Sequence, residues 1–196
     1  MRHALEPDHL AAVSTLVVEQ RRMTSGAILG GLWGLGHTFA LLVVAGLLGL
    51  AGAAMPPRLA TVFELGVAVM LVGIGLRGIL RAPLAHRHGG QPDARSGLRF
   101  ARRSLLVGSV HGLAGSGALT ALVASRLATA PGRLFYVGVF GLGSVMGMAF
   151  LSGAAGWPLA RLSRSPIWSR VLTTATGVMA CGLGIVWGVP LVRALL

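Results

Sequence analysis

Residues 26–50 run for 25 positions without a single Asp, Glu, Lys or Arg. About 20 apolar residues in a helix are enough to cross the hydrocarbon of a bilayer, where each backbone group must be satisfied within its own segment. That run leaves little alternative to a membrane-spanning helix. Further apolar stretches follow the same rule. The sequence predicts an all-α polytopic membrane protein with six transmembrane helices, at residues 1–18, 26–50, 59–80, 104–125, 134–159 and 167–189. Charged residues make up 11% of the chain, against roughly 25% in a soluble domain. The 30 glycines fit the same picture, because small residues let helices approach closely in lipid.

All 17 basic residues are Arg. The net charge of +12 reads as anchoring and topology, since no RNA- or DNA-binding module and no basic stripe with interleaved aromatics is present. Nucleic acid is not an expected partner. The connections after the first, third and fifth spans hold eleven arginines, Arg81, Arg95, Arg99, Arg102 and Arg103 among them, and the opposite side holds five. The arginine-rich side is expected to be cytoplasmic, in a multi-pass protein of the cytoplasmic (inner) membrane. Cys181, the single cysteine, has no partner for an internal disulfide. The N-terminus lacks the charged start and clean apolar core of a cleavable leader. Met1 stands two residues before His3, which leaves room for a start further upstream.

The chain also resembles itself. Trp33-Gly34-Leu35-Gly36-His37 matches Phe140-Gly141-Leu142-Gly143-Ser144 at an offset of 107, and His3-Ala4-Leu5 matches His111-Gly112-Leu113 at 108. Gly66-Val67 matches Gly177-Val178 at 111. The register holds along the chain. Three spans are an odd number, so a second copy sits inverted in the membrane, the plan of many secondary transporters. The expected organisation is a three-helix half at 1–80, a polar cytoplasmic loop at 81–103 and a second three-helix half at 104–196.

Within this apolar frame the stretch His3-Ala4-Leu5-Glu6-Pro7-Asp8-His9 is the costliest to bury. On an unbroken helix at about 100° per residue, Asp8 and His9 would point roughly 140° and 240° away from His3. Pro7 removes a backbone donor and clashes with the preceding turn, and such a break can bring the three side chains together. The alternative is a frayed helix start whose polar residues are solvated. His37 lies near the centre of the second span, at the depth of Asp8 and His9. Imidazole with carboxylate oxygen suits divalent nickel, cobalt, zinc or iron. His3, Asp8, His9 and His37 are therefore the candidate metal ligands. His86 and His88, in the polar loop, read as solvated.

His3-x4-Asp8-His9, followed by Gly36-His37-Thr38 in the next span, resembles the signature of the nickel/cobalt transporter superfamily, in its six-span, urease-accessory-type branch. The resemblance implies that His3, Asp8, His9 and His37 recognise the metal. It further implies a permease for divalent transition-metal ions, nickel or cobalt above others, whose partners are the ion and the lipid bilayer. No catalytic residue and no resident cofactor is implied, so the chain is not expected to be an enzyme. The family's later acidic motifs are missing, for Gly147-Met148 continues as Ala149-Phe150-Leu151-Ser152 and the last three spans hold neither Asp nor Glu.

Two other classes fit some of the residues. One is a membrane-bound accessory protein that delivers metal to a metalloenzyme such as urease. The other is an intramembrane serine hydrolase with Ser116, in Ala114-Gly115-Ser116-Gly117, as nucleophile and His111 or His37 as base. The arginine bias makes a direct prediction about orientation. With Cys181 replaced and Gly90→Cys introduced, an impermeant thiol reagent added outside intact cells should leave the protein unlabelled; labelling would reverse the orientation.

Overall fold

The computed structural model describes residues 11, 14, 23–51, 55–81, 94–113, 129–162 and 165–196. Among them all regular structure is α-helix: α1 Met23–Ala51, α2 Pro57–Arg81, α3 Ala94–Leu113, α4 Ala130–Leu162 and α5 Pro166–Leu195. Ala11 and Ser14 are helical as well. Four segments are long and apolar enough to cross a membrane: Gly26–Leu48, Pro57–Leu80, Phe135–Leu159 and Pro166–Leu195. They coincide with the expected second, third, fifth and sixth spans. Most of the expected first span and the second half of the fourth lie outside the described residues.

The helices are longer than hydropathy alone predicts. α3 begins at Ala94, ten residues ahead of the expected start at 104 and inside the stretch read as loop. Arg95, Arg99, Arg102 and Arg103 depress hydropathy, yet arginine is among the better helix formers, so the helix extends through them. Pro131-Gly132, between the expected fourth and fifth spans, lies in the first turn of α4. Proline suits that position because its missing N–H would have no partner there. The Gly132 N–H donates to Thr129 Oγ1 at 3.3 Å, which caps the helix start. α5 also has a proline at its start, extended Ser165 being followed by Pro166, but the Ser165 side chain makes no capping hydrogen bond. Pro158 and Pro190 sit inside α4 and α5, and both helices continue beyond them.

Small residues line the closest helix contacts, and many large apolar side chains face outward. The buried residues of α5 are Ser169, Thr173, Gly177, Ala180, Gly184 and Gly188. Phe39, Val69, Phe135, Phe150 and Val186 are among the exposed large apolar side chains. A soluble domain does the reverse, whereas lipid tails accept apolar side chains and reward close backbone contact. α1 packs along both α3 and α4, and α2 packs along α5, with far fewer contacts between α2 and α3. An apolar cluster of Ala11, Trp33, Val67, Leu71, Ile74, Val107, Met148 and Ala180 joins the two groups.

Directions follow from which residues touch. Leu29 meets Ser104, Trp33 meets Gly108 and His37 meets Gly112, so α1 and α3 advance together and are parallel. Gly30 meets Met148 and Ser152, Gly34 meets Val145, and Thr38 meets Gly141, so α1 and α4 run antiparallel. α2 and α5 are antiparallel too, with Ala68 at Gly184 and Gly75 at Gly177. A Cβ on Gly75 would strike the Gly177 carbonyl and the Cys181 sulfur, while one on Gly73 would meet nothing within 4 Å. Gly75→Ala should therefore destabilise the protein by about 1–3 kcal/mol through overpacking. Gly73→Ala should be neutral or stabilise it by roughly 0.5–1 kcal/mol through the helix term. Reversible denaturation of both variants in micelles tests the α2–α5 contact; equal effects would rule it out.

Candidate metal site

His37 is the midpoint of α1, fourteen residues from either end. Its side chain is fully buried, at 0% exposure. Three glycine-bearing contacts bring other backbones to this level. Gly36 lies against Leu105 and Ser109 of α3, Gly112 of α3 lies against the His37 backbone, and Gly34 lies against Ser144 and Val145 of α4. Thr38 Oγ1 donates to the Gly141 carbonyl of α4 at 3.2 Å. One turn earlier along each helix, Gly108 abuts the Trp33 carbonyl; a turn beyond that, Ser104 Oγ donates to the Leu29 carbonyl at 2.6 Å. The register of α1 on α3 is thus fixed at three successive turns.

This register brings a second imidazole to His37. His111 of α3 is 3% exposed, and the two rings stand 6.3 Å apart between centroids with their planes tilted by 41°. Trp33 is 1% exposed and meets His111 edge to face, with centroids 5.6 Å apart and planes at 90°. That geometry is favourable for aromatic pairs and limits how His111 can rotate. Ser144, which matches His37 in the second half of the sequence, is buried on α4 and borders the same junction. Burying imidazoles among apolar helices is costly unless their nitrogens are engaged.

Of the four expected ligands, the structure places His37. His3, Asp8 and His9 lie outside the described residues, as do Ser116, His86 and His88. Among the described residues no group of three or more His, Cys, Asp or Glu side chains forms a metal-binding cluster. His111 is the residue that ligand selection from the sequence passed over. Counted from a start at 104 it falls near the beginning of the expected span, although the repeat register pairs it with His3.

Fold and site together define an all-helical membrane protein with imidazoles buried between its helices. No family model and no solved structure matches the chain. It is 30% identical over 194 residues to the urease accessory protein UreH of Bacillus sp. (strain TB-90), covering 94% of this chain and 85% of that protein. The chain belongs to the UreH family of urease accessory proteins. The relative is named for an accessory role and not for a reaction.

Because Ser104 ties the register that aligns the two histidines, its removal should be felt. Ser104→Ala should cost about 1 kcal/mol of stability. Ser109→Ala, whose hydroxyl bonds only within its own helix, should cost less. Denaturation in micelles compares the two, and a larger loss at Ser109 would contradict the α1–α3 register.

Proposed function

We propose that this chain is a multi-pass protein of the cytoplasmic membrane that binds a divalent transition-metal ion, nickel or cobalt, and carries it across the bilayer. The observation behind this reading is the fully buried imidazole of His37 at the midpoint of an apolar helix. His3, Asp8 and His9 complete the site. Ala11, two residues past His9, is buried in the same cluster as Trp33, which lies one turn before His37, and this proximity supports the convergence. Imidazole and carboxylate together favour nickel, cobalt or zinc over calcium or magnesium. Asp8 supplies the negative charge that offsets a dication in low dielectric. The ion and the bilayer are the partners of this reading.

The architecture that goes with it is six helices in two inverted halves. Gly34 stands 107 positions before Gly141, and Thr38 stands 107 before Val145. The contacts Gly34–Val145 and Gly141–Thr38 therefore exchange under the offset that relates the halves. Reciprocity of this kind supports a two-fold relation between α1 and α4. His37 against Ser144 then makes the halves unequal, one recognising the ion and the other supporting movement.

A second reading has its own support in the relative's name. An accessory protein of a metalloenzyme such as urease can bind the ion at the membrane and pass it to its enzyme without transporting it. Flux into proteoliposomes, compared for nickel, cobalt, zinc and manganese, separates the two. Flux of nickel or cobalt that is lost in Asp8→Asn supports the permease; binding without flux supports delivery. In metal titrations of the purified protein, Asp8→Asn should weaken affinity most, by more than about tenfold, or 1.4 kcal/mol. His37→Ala should also weaken it, and Ser144→Ala should be mild. Unaltered affinity in both Asp8→Asn and His37→Ala would sink the site.

A further inference from the structure

We propose that His111 supplies a second imidazole to the ion held by His37, so that α3 as well as α1 carries the site. The inference rests on the metal-binding reading above and adds a ligand from the other half of the chain. Geometry is its foundation. A nitrogen ligand sits about 2.0–2.1 Å from such an ion, which puts each ring centre roughly 3.2 Å out, so two opposed rings stand about 6.4 Å apart and angled rings stand closer. The observed 6.3 Å between the His37 and His111 centroids falls at the wide end of that range. A modest side-chain rotation closes the pair onto an ion at a smaller angle.

Burial and register make the pair more than a chance approach. Both ring nitrogens of His37 and Nδ1 of His111 are sealed from solvent. Gly112, the neighbour of His111, presses against the His37 backbone, and Gly108 presses against Trp33. The spacing of the two helices at this level is therefore set by touching backbones. Trp33 then limits the His111 ring from one side at 90°. A second neutral imidazole raises donor number without adding charge. It tilts selectivity toward nickel, cobalt and zinc and away from hard, oxygen-preferring cations.

The test uses the full chain purified in detergent, with cobalt(II) and nickel(II) as probes. His111→Ala should weaken binding by about tenfold or more, 1.4 kcal/mol. The double variant His37→Ala/His111→Ala should lose less than the two single losses combined, because both act on one ion. A packing role would not produce the spectroscopic signature of the third variant. His111→Cys, with Cys181→Ser to remove the native thiol, should develop a thiolate-to-cobalt charge-transfer band when cobalt is added. That variant also decides the matter should His111→Ala fail to fold. No band in folded His111→Cys, with His37→Ala still weakening cobalt binding, overturns the role of His111 and leaves the metal site standing. Unchanged affinity in both His37→Ala and Asp8→Asn overturns the metal-binding reading itself.

Discussion

Contact between helix backbones is the constraint on which this bundle depends. Lipid tails are as apolar as leucine, so helices gain little by hiding apolar side chains from them, and association must come from close packing and interhelical hydrogen bonds. α1 meets this demand on two sides. Gly108 and Gly112 bring α3 against Trp33 and His37, while Gly34 and Gly141 bring α4 within reach of Thr38. The Ser104 and Thr38 hydroxyls then donate to carbonyls that already serve their own helices. Bulky residues at those contacts would hold the helices apart; many face outward, and Trp33, Leu71 and Met148 are buried in the apolar cluster instead.

The same contacts position the imidazoles. Side chains mounted on helices locked at several turns are held more firmly than side chains on loops. Gly112 against the His37 backbone fixes how far apart α1 and α3 stand where His37 and His111 are mounted. Trp33 contributes twice, through its carbonyl at Gly108 and its ring at His111.

Much of the fold was legible because hydropathy and spanning length are strong local signals. The segments around His37, Leu71, Ser144 and Cys181 could be drawn from composition alone. The start of α3 could not, since hydropathy penalises Arg95 to Arg103 where helix propensity does not. That displacement also kept His111 off the list of candidate ligands. His37 was legible from its motif and its central position. Glycine partners were not: Gly73 and Gly75 look alike in the sequence, yet one faces open space and the other meets Gly177. Which backbone touches which depends on helix placement that no local pattern encodes. The His3 to His9 motif remains a reading of the sequence, because it lies outside the described residues.

The described helices fall into two bodies with different kinds of joint. Within α1, α3 and α4, and again within α2 and α5, backbones interlock, and the Ser104, Thr38 and Cys181 bonds all lie inside a body. Between the bodies the shared element is the apolar cluster around Trp33, Val67, Leu71 and Met148. Interlocked backbones resist sliding because each turn is keyed to its neighbour, whereas apolar side chains can re-register at little cost in direction. Among the described residues, the seam along that cluster is made by side chains, while α1 belongs to the part joined backbone to backbone. The two histidines, on α1 and α3, thus stand on the side of that seam where helices meet backbone to backbone.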